Sequence, residues 1–361
     1  MAEAPPPLPT LLSWALVAFT IELDNAFETR LAHRTSAGGG RGPWLVSFAL
    51  WSNVLRFVPE AGITVSELRR TARTPKLPLD GVRRWGYVTI DAGPGKPVSG
   101  APRAGWAIRP TGHLRRAAEV WTPLPGEIEA RWTARFGAEA VSRLCAALAA
   151  IAGRIETPLP DFLPILGYGL RAEVTADNPA APPPTPVIET GLVALIARVL
   201  LAFTLDFEAN SPLSLALSLN ILARLDSKGA RVRDLPAATG VSSAAVAMAL
   251  RFLEKRGLAQ TATLAGARSI CLTEKGVKAL AAAQERLAAS ESAWRYHFGQ
   301  AAFADLRAAL QPLVGDGTPQ GSPLFAGLQP NPSGWRAKSW PPAILPAYPM
   351  ILHRGGYPDG A

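Results

Sequence analysis

Little in this chain supports redox, metal or membrane chemistry. Only two cysteines, Cys145 and Cys271, occur in 361 residues. That excludes a disulfide framework, and both, set in apolar surroundings, read as reduced, buried thiols of a cytoplasmic protein. The four histidines, His33, His113, His297 and His353, lack metal-ligand spacing, so no metal site is expected. There is no nucleophile elbow and no Cys-His pair within sequence reach. Gly38-Gly39-Gly40 and Gly93-Pro94-Gly95-Lys96 lack phosphate-loop spacing and read as loop tips. The expectation is a non-enzyme without cofactor. Long apolar runs are missing too. Leu11–Ile21 falls short of the roughly 20 residues that span a bilayer, and no positive residues precede it as in a signal peptide. Leu192–Phe207 contains Arg198 and ends in acids. Both read as buried helices of a soluble protein. Charged residues are scarce at 18 %, but 48 % apolar residues exclude a wholly disordered chain.

What is present is a repeat. Phe19-Thr20-Ile21-Glu22-Leu23-Asp24 returns as Phe203-Thr204-Leu205-Asp206-Phe207-Glu208, and Asn53-Val54-Leu55-Arg56-Phe57 as Asn220-Ile221-Leu222-Ala223-Arg224. Arg84-Trp85-Gly86-Tyr87-Val88 answers to Lys255-Arg256-Gly257-Leu258-Ala259, and Arg135-Phe136-Gly137 to His297-Phe298-Gly299. The separations are 184, 167, 171 and 162, in constant order, which indicates two copies of a domain of about 150 residues. The expected division is 1–156 for the first domain, 157–190 for a Pro-rich linker, 191–314 for the second domain and 315–361 for a tail.

Charge follows the repeat. The net charge is +9. Residues 65–116 hold eleven Lys/Arg against three Asp/Glu, and residues 228–278 nine against three. Two basic segments at matching places on an otherwise slightly acidic chain suggest a polyanion partner.

The second copy is the more legible. Leu192–Glu208 and Ser214–Leu225 have helical apolar spacing, and Val232–Ala238 reads as a short helix closed at Thr239-Gly240. Ser242 offers an N-cap to a helix from Ser243 to about Arg256, whose Val246, Leu250 and Leu253 form one apolar stripe. Gln260–Leu264 and Arg268–Leu272 predict a hairpin, Thr273 a helix start running through Ala281–Ala289, and Phe303–Leu310 a last helix. Gly240-Val241-Ser242-Ser243, then Leu250–Leu258, then Leu272-Thr273-Glu274-Lys275-Gly276 resemble the MarR-type winged helix-turn-helix transcriptional regulators, over about 192–312. The resemblance implies a mainly α fold with small β-hairpin wings. With the repeat, it implies two tandem winged helix-turn-helix domains forming an intramolecular pseudo-dimer. Leu11–Phe27, Glu127–Ile151, Leu192–Glu208 and Ala293–Leu313 would pack as the shared dimerisation layer.

The first copy departs from this plan. Trp44–Phe57 matches the second helix, Thr64–Arg73 the short helix and Leu79–Tyr87 the helix after the turn. Gly112 is matched to Gly276. Thr74-Pro75-Lys76-Leu77-Pro78 replaces the turn, and its prolines shorten or deform the start of the following helix. The wing, Asp91–Gly105, is long and rich in Gly and Pro. The linker run Ala180–Pro186 reads as a semi-rigid spacer. The tail has nine Pro and eight Gly in 47 residues, yet carries Phe325, Trp335, Trp340, Tyr348 and Tyr357, which predicts an extended strap packed on the body.

A helix after such a turn fits the major groove of double-stranded DNA, the expected partner. In the second copy the face away from the stripe offers Ser242, Ser243, Ala247, Arg251 and Lys255, with Arg268 on the wing. In the first copy the candidates are Lys76, Arg83 and Arg84, backed by Arg69, Arg70 and Arg73, with Lys96 and Arg103 on the wing. Six basic residues this close suit phosphate contacts. Trp85 reads as core, as do Trp14, Phe19, Trp44, Trp51 and Phe57. By resemblance, Trp14, Phe19, Trp51 and Phe57 are also wall candidates for a pocket holding a small-molecule effector. The acids Glu22, Asp24, Asp206 and Glu208 are expected to pair with basic residues. The alternative readings are a winged-helix protein-interaction module or a non-specific DNA-binding protein, as a monomeric pseudo-dimer or a homodimer.

Overall fold

The computed structural model describes residues 6–31, 52, 54–72, 77, 79–93, 102–157, 159, 191–209, 211–225, 229–241, 243–264, 266–315, 318, 320–329 and 344–347. It is mainly helical with two small three-stranded antiparallel sheets. The first unit runs α1 (Leu8–Arg30), β1 (Ile63–Thr64), α2 (Val65–Ala72), α3 (Leu79–Arg84), β2 (Val88–Asp91), β3 (Ala107–Pro110), α4 (Gly112–Trp121), α5 (Leu124–Phe136) and α6 (Ala138–Ala152). The second runs α7 (Leu192–Ala209), a π-helical turn Leu215–Leu219 leading into α8 (Asn220–Leu222), β4 (Ala230–Arg231), a 3-10 turn Val232–Asp234 and α9 (Leu235–Thr239). It continues through α10 (Ser243–Lys255), β5 (Ala259–Leu264), β6 (Ala267–Leu272), α11 (Glu274–Phe298) and α12 (Gln300–Val314).

The units repeat one another down to single hydrogen bonds. Sheet order is β1-β3-β2 in one and β4-β6-β5 in the other. Ile63 stands opposite Ile108 as Ala230 stands opposite Ile270. The strands are entered at left-handed glycines, Gly62 (φ 86°) and Gly229 (φ 82°). The helix before each hairpin ends alike: Tyr87 N–H reaches Val82 C=O and Leu258 N–H reaches Leu253 C=O, both at 2.9 Å, across Gly86 and Gly257. Thr111 caps α4 through the amides of His113 and Leu114, and Thr273 caps α11 through that of Gly276. Further on, Gly137 (φ 91°, ψ 144°) breaks α5 from α6, and Gly299 (φ 94°, ψ 142°) breaks α11 from α12. These two angles lie where a Cβ is strongly disfavoured, so the long helices expected over Glu127–Ile151 and Ala293–Leu313 are each divided in two.

The long helices of both units form a common layer. α1 packs along α7, α6 along α12, and each of α1 and α7 also meets the other unit's last helix. Every residue of α1 from Leu8 to Asp24 is buried, which explains why its apolar residues show no helical stripe: it has no solvent face there. Exchange across the layer is reciprocal. The free amide at the start of α1, Leu8 N–H, is held by Glu291 of α11 at 2.5 Å; the amide of Leu192 at the start of α7 is held by Glu129 of α5 at 2.5 Å. Each carboxylate meets an unsatisfied N-terminal donor and the positive end of a helix. Arg198, the cation within the apolar α7, is buried and donates to the carbonyls of Ala152 at 3.4 Å and Ile155 at 3.0 Å in the other unit. Among the described residues no helix is long and apolar enough to cross a membrane.

Two expectations need correction in detail. The cap threonines set Thr111 against Thr273, so Gly112 is not the counterpart of Gly276. A Cβ on Gly276 would lie 1.9 Å from the Leu258 carbonyl oxygen, whereas one on Gly112 meets nothing. Of these two, Gly276 alone is a glycine for want of room. Second, Ser214–Leu225 is not one regular helix but a π-helical turn followed by one α turn. The tail packs where it is described. Leu324, Phe325 and Leu328 are buried, Leu324 N–H reaches Leu313 C=O at 3.0 Å, and Arg135 donates to the Pro323 carbonyl. Leu345 and Pro346 bury beside α1, where Trp14 Nε1 donates to the Pro346 carbonyl at 2.6 Å.

Candidate nucleic-acid interface

In the second unit, α10 follows the left-handed Gly240 (φ 72°) that closes α9. Val246, Leu250 and Leu253 are buried together with Ala249, fixing one face of α10 to the unit's core. Ser243, Ala247, Arg251 and Lys255, each four residues apart, then necessarily share the opposite face, and all are exposed. The β5–β6 hairpin projects beside it, with Arg268 exposed opposite Thr263. Ser242 lies outside the described residues.

In the first unit, α2 begins with a reciprocal cap. Thr64 Oγ1 accepts from the Glu67 amide at 3.2 Å, and Glu67 accepts from the Thr64 amide at 3.0 Å. The hydrogen bonds from the Thr64 hydroxyl and amide hold the Glu67 carboxyl below its ordinary range. Val65, Leu68 and Ala72 face inward, leaving Arg69 and Arg70 exposed. α3 has six residues against thirteen in α10, in line with the shortening that the prolines imply. On it Arg84 is exposed and Arg83 half-buried; Trp85 is buried, as expected. Arg103 is exposed before β3. Arg73, Lys76 and Lys96 lie outside the described residues.

Several arginines elsewhere are paired: Arg30 with Glu127, Arg115 with Glu60 at 2.9 Å, Arg143 with Glu139 at 3.0 Å, Arg307 with Glu291 at 3.3 Å, although among the described residues Arg116 and Arg286 are not. Among the described residues, none of Arg69, Arg83, Arg84, Arg103, Arg251, Lys255 and Arg268 has a carboxylate within ion-pair distance. Arg70 has no such pair either, but its field helps to hold the Glu67 carboxyl down. The chain therefore leaves unneutralised charge at corresponding places in both units.

The aromatic candidates for an effector pocket fall elsewhere. Trp14 and Phe19 are buried core residues of α1, Phe57 is half-buried against the core, and Trp51 lies outside the described residues. A cavity of about 490 Å³ opens instead against α7 and the end of α11, and Trp14, Phe19 and Phe57 are not among its lining residues. Cys145 and Cys271 are free thiols, each half-buried rather than fully buried. Burial, with the Glu129 carboxylate adding to it, pushes the Cys145 thiol up, away from reactivity.

The carboxylates of the first helices use a partner not expected from the sequence. Glu22 accepts from Trp132 Nε1 at 2.9 Å and Asp206 from Trp294 Nε1 at 2.8 Å. Phe19 meets the Trp132 ring at 5.4 Å, and Phe203 the Trp294 ring at 4.9 Å. Glu22 also faces Arg135 at 3.6 Å and Arg131 at 3.9 Å, the basic pairing that was expected. A signal for the tryptophans was present, since each lies four residues before the Phe of the repeated Phe-Gly pair. Comparison with protein-family models, with curated proteins and with solved structures gives no match.

Proposed function

We propose that this chain is a DNA-binding transcriptional regulator built from two tandem winged helix-turn-helix units that pair within one chain. The observation that carries the reading is the set of exposed, carboxylate-free cations at matching places in both units, on and beside α10 and α3. The reciprocal capping of Leu8 by Glu291 and Leu192 by Glu129 supports the pseudo-dimer, since a two-fold interface makes each contact twice. α10 would enter the major groove, with Arg251 able to fork onto a guanine and Ser243 onto a base edge or phosphate. The β5–β6 hairpin would bring Arg268 to the flanking backbone.

The two heads differ, so the preferred site has unlike halves. With its shorter α3 and clustered arginines, the first unit supplies phosphate contacts more than base readout. That shortness also favours a second reading for this half: a non-specific DNA grip or a protein-binding surface. The test is selection of bound fragments from genomic DNA at two salt concentrations. An enriched motif with two unlike halves, lost steeply as salt rises, is the expected result. Binding without enrichment supports a non-specific DNA-binding protein, and salt-insensitive or absent binding supports a protein-interaction module.

A further inference from the structure

The places around Glu22 and Asp206 are counterparts, yet they are completed differently. Beside Glu22 stand Arg131 and Arg135, and Arg135 also holds the carbonyl of Pro323, so the segment bearing Leu324 and Phe325 is tied down there. Counting by the same separation of 162 that relates Trp132 to Trp294, the two arginines become Ala293 and His297. Asp206 keeps only the indole hydrogen bond, and among the described residues it has no cationic partner. Where its counterpart is flanked by the tail, Asp206 borders the cavity of about 490 Å³, whose walls include Leu159, Leu205, Trp294 and Phe298. That volume lies within the range of small-molecule sites.

We propose that this cavity binds a lipophilic cation: an apolar or aromatic body carrying one delocalised or quaternary positive charge. The apolar walls take the body, and Asp206, exposed on α7 and bordering the cavity, supplies the counter-charge. The Phe298 ring already has the Arg154 guanidinium 5.5 Å from its centroid. Arg154 is engaged with the carbonyls of His297 and Phe298, and the formal charges of Arg154 and Glu156 in the cavity lining sum to zero. Asp206 therefore sets the sign of the site. The chain as a whole is positive, at +9, so non-specific attraction would favour an anion. A preference for a cation is thus diagnostic of the cavity. This site does not depend on the DNA-binding reading, and its test needs no DNA.

The experiment is calorimetric titration of the full chain at pH 8 with tetraphenylphosphonium and with tetraphenylborate, ions of like shape and opposite charge. Saturable one-to-one binding of the phosphonium, at least about tenfold tighter than the borate, is expected. Asp206→Asn should weaken the phosphonium about tenfold and narrow the preference. Ala293→Arg, at an exposed helix position, should do the same by restoring the arginine of the other unit. It keeps the test intact if Asp206→Asn melts early. Equal binding of both ions, phosphonium binding indifferent to both variants, or binding of neither ion overturns the proposal.

Discussion

At the scale of residues, carboxylates divide between holding the molecule together and leaving the basic face alone. Glu291 caps α1 and also meets Arg295 and Arg307, whereas Glu129 caps α7 alone. A hydrogen bond to a charged group is worth about 1.5–3 kcal/mol. Glu291→Gln should therefore lower the urea midpoint more than Glu129→Gln; equal losses would count against a contribution from the Arg295 and Arg307 pairs, and no loss in either variant would count against the reciprocal cap. Under the proposed DNA-binding role, Arg251→Ala should cost about 1–3 kcal/mol of binding and relax preference at one base pair. Arg84→Ala should weaken all sequences evenly and reduce the salt slope by about one. Parallel titrations of both variants against matched and scrambled sites separate the two roles.

At the scale of elements, backbone geometry rather than side-chain contact decides which glycines matter. Gly276→Ala drives a Cβ into the Leu258 carbonyl oxygen, so it should destabilise by several kcal/mol or prevent folding. Gly112→Ala, in the first turn of α4 with open space around it, should be neutral or stabilising by up to about 1 kcal/mol. Thermal melts of the pair check the assignment of Thr111 to Thr273 and the two-residue shift it imposes. Gly137 and Gly299 sit at near-identical positive φ with nothing close by, so alanine there should cost about 1–3 kcal/mol through strain alone. Much of the second unit was legible because its elements have local signals: Gly240 and Gly257 stop helices, Thr273 starts one, and Ala265-Gly266-Ala267 turns a hairpin. The breaks at Gly137 and Gly299 were missed because the apolar helical pattern continues on either side of each single glycine. The π-helical turn Leu215–Leu219 has no sequence signature of its own; it is set by packing against α7 and α10.

At the scale of the whole molecule, pH and salt probe different parts of the architecture. The Arg30 guanidinium holds the Glu127 carboxyl below its usual range, as the Thr64 cap does for Glu67. A carboxyl depressed in the folded state adds stability above its unfolded pKa, and loses that share as pH falls through its folded one. Both groups are exposed, so the shares are small. The drop in melting temperature from pH 7 to pH 3 should shrink in Glu127→Gln and Glu67→Gln, and an unchanged drop would refute the assignment.

By itself the sequence pointed to a repeat, to where many of the helices and both hairpins lie, and to positive charge gathered in the matching segments 65–116 and 228–278. These follow from periodicity, turn residues and counting, which act over a few residues. Only the tertiary structure decided that each unit caps the other's first helix, that Glu22 and Asp206 serve tryptophans about 90 to 110 residues away, and that one of two equivalent places is flanked by the tail while the other borders a cavity. Those outcomes depend on how the surfaces of distant helices fit when packed, and local pattern carries no record of that fit.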